Sequence, residues 1–215
     1  MLRKIKEVVL LDVDYTVINT DSMIDFFVYS LKTKTLKTII KIPYIIVVFV
    51  MYLLKFATLN KAKEAVFSTI IYFKEDELEE FFNKCIKKKI NESMMNIIED
   101  AQKKGKIIIM VTASPSAYMK YFKKYKYADE VLGTELEFEN SRYKNKILGN
   151  NCKGLEKTFR IEKLLEHLDI EINFDKSYAY SDSISDMPMF SLVANAYLVQ
   201  KKDGKVKEKV NVVLN

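Results

Sequence analysis

The stretch "VVLLDVDYTV", residues 8–17, restricts the fold more than any other part of the chain. Val8 to Leu11 leave no polar face, as in a strand buried on both sides within a parallel sheet. The run ends in Asp12 and Asp14, which on an extended chain point to the same side. Two such charges are tolerated where positive charge sits between them. Ligands of parallel sheets bind beyond the carboxyl ends of the strands, so the pair stands where a cation and an anion could both be held. The competing reading is a solvated turn acid followed by a helix N-cap from Asp14 or Thr16. From this stretch alone the two readings are level.

The pattern then turns helical. In "DSMIDFFVYSLK", Met23, Phe26, Phe27 and Leu31 share one side. The most apolar segment, "IPYIIVVFVMYLL" at 42–54, follows between Lys41 and Lys55. Charged helices are expected at about 60–72 and 75–90, and "ESMMNIIEDAQKKGK" reads as an amphipathic helix C-capped at Gly105. From residue 91 onward strands and helices alternate. Ile107 to Val111 is a second buried run, with Ser114 as N-cap and Pro115 at N1 of the next helix. A hairpin is expected around Asn140-Ser141, a helix in "CKGLEKTFRIEKLLEHL", a strand in "KSYAYSDSISD" and a last strand in "NAYLV". This order predicts a doubly wound, Rossmann-like α/β parallel sheet. The core would comprise residues 1–18 and 91–215, and 19–90 a helical cap inserted after the first strand.

Composition removes several chemistries. His167 is the only histidine, which excludes a two-His zinc site within one chain. Cys85 and Cys152 form no CxxC pair and read as reduced cytosolic thiols. A cysteine phosphatase needs an Arg six residues after its Cys, where this chain has Asn91 and Thr158. An enzyme built from this sequence must work with carboxylates. Net charge is +6, yet only three basic residues are Arg. Base-reading interfaces lean on Arg, so nucleic acid is set aside as a partner. The N-terminal apolar run contains Glu7 and Asp12 and does not read as a signal peptide. A cytoplasmic protein is expected.

The strand ends share one chemistry. Asp12 and Asp14 close the first strand, Thr112 the second, and Asp182 and Asp186 follow the third; Lys153 opens a helix. Asp12, Asp14 and Asp182 suit Mg²⁺, a hard cation that takes oxygen ligands and keeps waters beside a phosphate. Thr112, the amides after it and Lys153 suit phosphate oxygens. Carboxylates facing phosphate donors point to phosphoryl transfer.

The motifs "DVDYT", "IIMVTAS", "NCKGLEK" and "YSDSISD", in this order, resemble the haloacid-dehalogenase-like superfamily over residues 8–190. A cap directly after the first motif resembles the subfamily that contains phosphoserine phosphatase. The resemblance implies that Asp12 is the nucleophile forming an aspartyl-phosphate and that Asp14 is the acid/base. It further implies Mg²⁺ on Asp12, Asp182 and the Asp14 carbonyl, and a phosphoryl group on Thr112 and Lys153. Asp186 would orient Lys153 or a metal-bound water. Tyr15 departs from the family, which often has Gly there. A receiver-like phospho-acceptor domain also uses clustered acids, a Thr and a Lys, but needs neither the second acid nor a seventy-residue insertion. A membrane-surface binding protein with an inactive core is a third reading.

For substrate, phosphoserine ranks second: its carboxylate would meet an Arg, and residues 19–90 contain none. Asp21 stands where that subfamily places an acid facing the substrate amine, although it also reads as a helix N-cap. Thirteen uncharged residues at 42–54 reach about 20 Å as a helix, short of a ~30 Å hydrocarbon core, so spanning is not expected. The segment either forms the buried centre of the cap or lies in the membrane interface with Lys41 and Lys55 snorkelling. The apolar cap with "TASP", "CKGLEK" and "YSDSISDMPMF" is similar in character to phosphatidylglycerophosphatase C and its relatives. That resemblance implies a lipid or amphiphilic phosphate such as phosphatidylglycerophosphate, met at the inner face of the membrane.

Overall fold

All five residues of Val8–Asp12 are buried, because alternate side chains enter opposite hydrophobic layers. Val9 and Leu11 pack with Met94, Ile98, Ile108 and Met110. Val8 and Leu10 pack with Ile109, Val111, Ile161 and Phe190. A strand apolar on both faces requires cover on both, and helices supply it. The computed structural model describes residues 3–211, so residues 1–2 and 212–215 of the expected core lie outside the described residues.

The chain opens with β1 (Lys4–Lys6) and β2 (Val8–Asp12), then runs through α1 (Ser22–Thr33), α2 (Thr35–Leu53), α3 (Leu59–Val66) and α4 (Glu75–Phe81). Helix α5 (Glu92–Lys103) leads into β3 (Ile107–Pro115), followed by α6 (Ser116–Met119), α7 (Tyr121–Lys124) and β4 (Glu130–Thr134). A hairpin of β5 (Leu136–Glu139) and β6 (Arg142–Ile147) precedes α8 (Leu155–His167), β7 (Ile170–Ile172) and β8 (Tyr178–Ser181). Helix α9 (Met187–Phe190), β9 (Asn195–Val199) and β10 (Val206–Val210) complete the order. The main sheet runs β10-β9-β8-β2-β3-β4. Strands β9, β8, β2, β3 and β4 are mutually parallel, and β10 is antiparallel at one edge. This is the expected α/β architecture, with β2 central. Strand β10, and β7 paired with β1, were not anticipated; "VKEKV" and "IEI" lack the apolar runs that marked the buried strands.

The helical expectations hold with altered ends. Helices α3 and α4 are shorter than expected and continue as 3₁₀ and π turns through Tyr72 and Lys89. Gly105 ends the α5 turn at φ +65°, and Asn140 and Ser141 turn the hairpin at φ +52° and +59°. One cap expectation fails: β3 runs on to Pro115, which pairs with Thr134, and α6 begins at Ser116. Ser114 therefore caps nothing. Its hydroxyl is drawn to Asp14 instead.

The helical run from Ser22 to Lys89 leaves and re-enters the core at neighbouring points. Asn91 N–H donates to the Val17 carbonyl at 2.8 Å, and Asn19 N–H to Lys89 at 3.0 Å. Aromatic packing seats the run on the core: Phe26 stacks on Tyr118 with centroids 5.3 Å apart, and Phe81 meets the same ring edge-on at 5.2 Å. Helix α2 is the exception. Thr38 in its first turn is buried and donates to the Ser30 carbonyl, but only 6% of its apolar window is buried. Ile40 is 73% and Leu53 63% exposed. The alternative that placed 42–54 in the centre of a cap is thereby corrected. The helices around it are too short to enclose nineteen residues on every side.

Candidate active site

The parallel strands deliver their carboxyl ends to one edge, and a cleft of about 310 Å³ opens there. Asp12, Asp14, Asp21, Ser114, Lys63, Lys153, Lys157, Asp182 and Asp186 all line it. The sequence-predicted acids thus converge. Thr112 contributes from just beneath, fully buried, through its hydroxyl.

Asp12 closes β2 and is held on both oxygens: Lys157 Nζ donates to Oδ1 at 2.5 Å, and Thr16 Oγ1 to Oδ2 at 3.1 Å. Thr16 also accepts from the Asp182 N–H at 2.9 Å, tying the β2 end to the β8 end. The turn between Asp12 and Thr16 places Tyr15 at φ +60°, a left-handed position that disfavours residues other than Gly. That is the physical meaning of the departure at Tyr15. Asp14 is held by neutral donors: the Ser22 N–H at 2.7 Å, Ser114 Oγ at 2.8 Å and Thr112 Oγ1 at 3.1 Å. The two acids therefore sit in different environments, one against an ammonium and one against hydroxyls and an amide.

Lys153, expected at the phosphoryl group, lines the cleft, but a second lysine that the sequence analysis did not single out contacts Asp12. The structure brings Lys157, not Lys153, to Asp12, and Asp186 orients Lys157, accepting at 2.7 Å while Ser181 Oγ donates to the same oxygen. Gly154 turns the chain at φ +59°, so α8 starts at Leu155 and its first turn aims Lys157 back into the core. Lys153 precedes that turn and stays at the cleft rim. The stretch "NCKGLEK" contains both lysines, and the Gly between them was the signal that separated them. The site roles of Ser22, Ser114 and Ser181 also escaped the sequence reading. Ser114 bonds to a carboxylate one hundred residues away. Ser22 reaches Asp14 through its backbone N–H and Ser114 through its hydroxyl. Ser181 bonds to Asp186 across a turn that no motif marks. Asp21 N-caps α1, accepting from Met23 and Ile24 N–H, and also faces the cleft. Asp182 pairs with the exposed Lys201 at 3.2 Å.

The electrostatics are short of positive charge. Asp12 and Asp186 share the Lys157 ammonium, and among the described residues Asp14 pairs with none. Burial pushes Asp12 up, outweighing the pull of Lys157, and burial likewise raises Asp14. Burial disfavours the Lys157 ammonium, but the Asp12 and Asp186 carboxylates overcome it and hold the group protonated. A divalent cation fits such a site. Among the described residues no three His, Cys, Asp or Glu side chains form a ready-made cage. Mg²⁺ does not need one, since it is commonly held by one or two carboxylates with waters and phosphate oxygens.

The haloacid dehalogenase-like hydrolase family matches the chain over residues 9–191. No curated protein matches it. The fold is similar to a protein of unknown function from Bordetella pertussis Tohama I, with 18% identity, 91% of each chain covered and a TM-score of 0.76. It is similar to a phospho-aspartyl intermediate analogue of phosphoserine phosphatase, at 16% identity over 91% of this chain and 87% of that one, TM-score 0.60. A putative phosphatase from Clostridium difficile is 23% identical over 94% of this chain and 88% of its own, TM-score 0.52. At these identities the likeness to solved structures is one of fold.

Proposed function

The chain belongs to the haloacid dehalogenase-like hydrolase family, and from that premise we propose that it is a phosphatase acting on phosphomonoesters through Asp12. The observation that carries the reading is the contrast between Asp12, gripped by Lys157, and Asp14, two residues on, held only by hydroxyls and an amide. An Asp12 oxygen attacks phosphorus as the bond to the substrate's alcohol oxygen breaks. Asp14, raised by burial, gives its proton to the departing alkoxide. The Asp14 carboxylate then takes a proton from water as that water attacks the aspartyl-phosphate, freeing inorganic phosphate and restoring Asp12. The amides after Thr112 would meet the phosphoryl oxygens, as would the Thr112 hydroxyl once it turns from Asp14, and Lys157 would neutralise charge beside them. Asp12, Asp182 and the Asp14 carbonyl are the residues that would hold Mg²⁺, which when bound offsets charge on the phosphoryl group. Residues 19–90 serve as the cap.

Incubation with a panel of phosphorylated metabolites and phospholipids is expected to release phosphate with Mg²⁺ and not with excess EDTA. A panel in which no phosphomonoester turns over would end the proposal. The panel also separates two substrate classes. Phosphoserine has Asp21 at the cleft in its favour. A lipid or amphiphilic phosphate has α2.

Helix α2 favours the amphiphilic class. At nineteen residues it is about 28 Å long, so the ~20 Å reach that argued against spanning is corrected: by length and composition it could cross a membrane. It is apolar around most of its circumference and leads through exposed Phe56 to Leu59, which lines the cleft. From Phe26 to Lys63 the chain has seven lysines and no acid, a charge pattern that matches an anionic membrane surface. The protein would lie peripherally on the cytoplasmic face of the membrane. Flotation with vesicles rich in phosphatidylglycerol is expected to carry the protein upward. Val47→Asp with Phe49→Asp should leave it at the bottom of the gradient. Equal flotation of both proteins would remove α2 as the contact.

A further inference from the structure

We infer that Lys63 and Lys153 form a second anion-binding subsite, so that the preferred phosphomonoester carries another anionic group on its alcohol portion. The inference deepens the phosphatase reading and rests on it.

Lys63 comes from α3, within the inserted helical run, and reaches into the cleft that holds the catalytic acids. Its Nζ donates to two neutral acceptors, the Ala113 carbonyl at 3.0 Å and Asn151 Oδ1 at 2.7 Å. Among the described residues no carboxylate forms an ion pair with it or with Lys153. Lys157 by contrast is committed to Asp12 and Asp186. Loss of water pulls Lys63 down to about 8, and the nearby Lys153 adds to the pull against Asp14 and Asp21. Asp14 and Asp21 offset part of that cost from nearby, but neither bonds to the Lys63 ammonium, which is left desolvated against neutral acceptors only. An anion bound beside both lysines offsets the lost hydration of Lys63 by direct pairing and screens its repulsion from Lys153.

The surroundings set where that anion belongs. Lys153 also lines an open groove with Leu59, Asn60, Asn151 and Leu155, which continues from the cleft. The subsite therefore lies on the way out from the phosphoryl position, where a substrate's alcohol portion must pass. Helix α3 is fixed there by the hairpin: Ile147 N–H donates to Glu64 Oε1 at 3.1 Å and Asn145 to the Glu64 carbonyl at 2.9 Å. The ammonium is thus presented by a braced element. A phosphate, phosphodiester or carboxylate shares the chemistry that two ammonium groups recognise.

The test compares three matched substrates with Mg²⁺: propyl phosphate, 3-carboxypropyl phosphate and propane-1,3-diyl bisphosphate. For the native protein, kcat/KM is expected to be higher for one or both of the doubly anionic esters, and which one identifies the second group. Lys63→Gln should lower the ratio of doubly anionic to propyl phosphate kcat/KM about tenfold, chiefly through KM, with Lys63→Arg restoring it. A ratio unchanged by Lys63→Gln, with all three substrates falling together, would show that Lys63 only ties α3 to Ala113 and Asn151 and would overturn the inference. Calorimetric binding of propane-1,3-diyl bisphosphonate against propylphosphonate reads the subsite without turnover. Loss of that preference in Lys63→Gln supports the subsite even if no ester is hydrolysed, and equal binding overturns it.

Discussion

Asp12→Asn is expected to abolish turnover, with a loss of about 10⁴-fold or more, the scale on which removal of a nucleophile acts. The amide is isosteric with the carboxylate but cannot form an acyl phosphate. The fold should survive. Thr16 can still donate to the side-chain oxygen, and Lys157 keeps Asp186 at 2.7 Å. Removing a buried charge favours the variant, but its amide oxygen can accept from only one of the two donors, Lys157 and Thr16, that Asp12 serves, so the metal-free variant should melt near the native temperature. Steady-state phosphate release and a thermal melt on the same sample decide the matter. Trapping of a base-labile phosphoprotein from the native chain and not from the variant would complete it. Turnover retained by the variant would remove Asp12 from the attacking role.

Lys157→Met is expected to have the largest effect on stability, about 3–5 kcal/mol, because it leaves Asp12 and Asp186 buried without their cation. The methionine fills the volume of the lysine stem, so the loss reads the charge and not a cavity. Activity should fall by roughly 10²–10³-fold, as for removal of one preorganised electrostatic partner. Lys153→Met, at the rim, should change stability by no more than ~0.5 kcal/mol. Urea unfolding with an unchanged m-value would report both. Equal destabilisation by the two substitutions would contradict the assignment of the buried ion pair to Lys157.

The comparison between Lys153 and Lys157 shows where the sequence stops. Both lie in "NCKGLEK", four residues apart, and lysine is common in this chain. Composition and motif order could place a lysine at the sheet edge but could not choose between them. The choice depends on the backbone angle at Gly154, which sets where α8 starts and which side chain its first turn sends inward. The same limit applies to Ser114, expected as a helix cap. Its hydroxyl bonds to Asp14, one hundred residues away, a partner that no local rule supplies.

Helix α2 exposes a related limit. A uniformly apolar segment reads as core or as membrane surface, since periodicity is silent when every face is alike. Only the placement of α1, α3 and α4 decided that most of this helix faces outward.

The sequence by itself determined the parallel sheet and the edge at which the acids gather. Those follow from local facts: runs of residues apolar on both faces, and carboxylates and hydroxyls at their ends. Tertiary structure alone decided which ammonium neutralises Asp12, which hydroxyls hold Asp14, and that Lys63 enters the cleft from the inserted helices. Each of these is a contact between groups distant along the chain, fixed by how the turns and helices pack and not by the residues beside them.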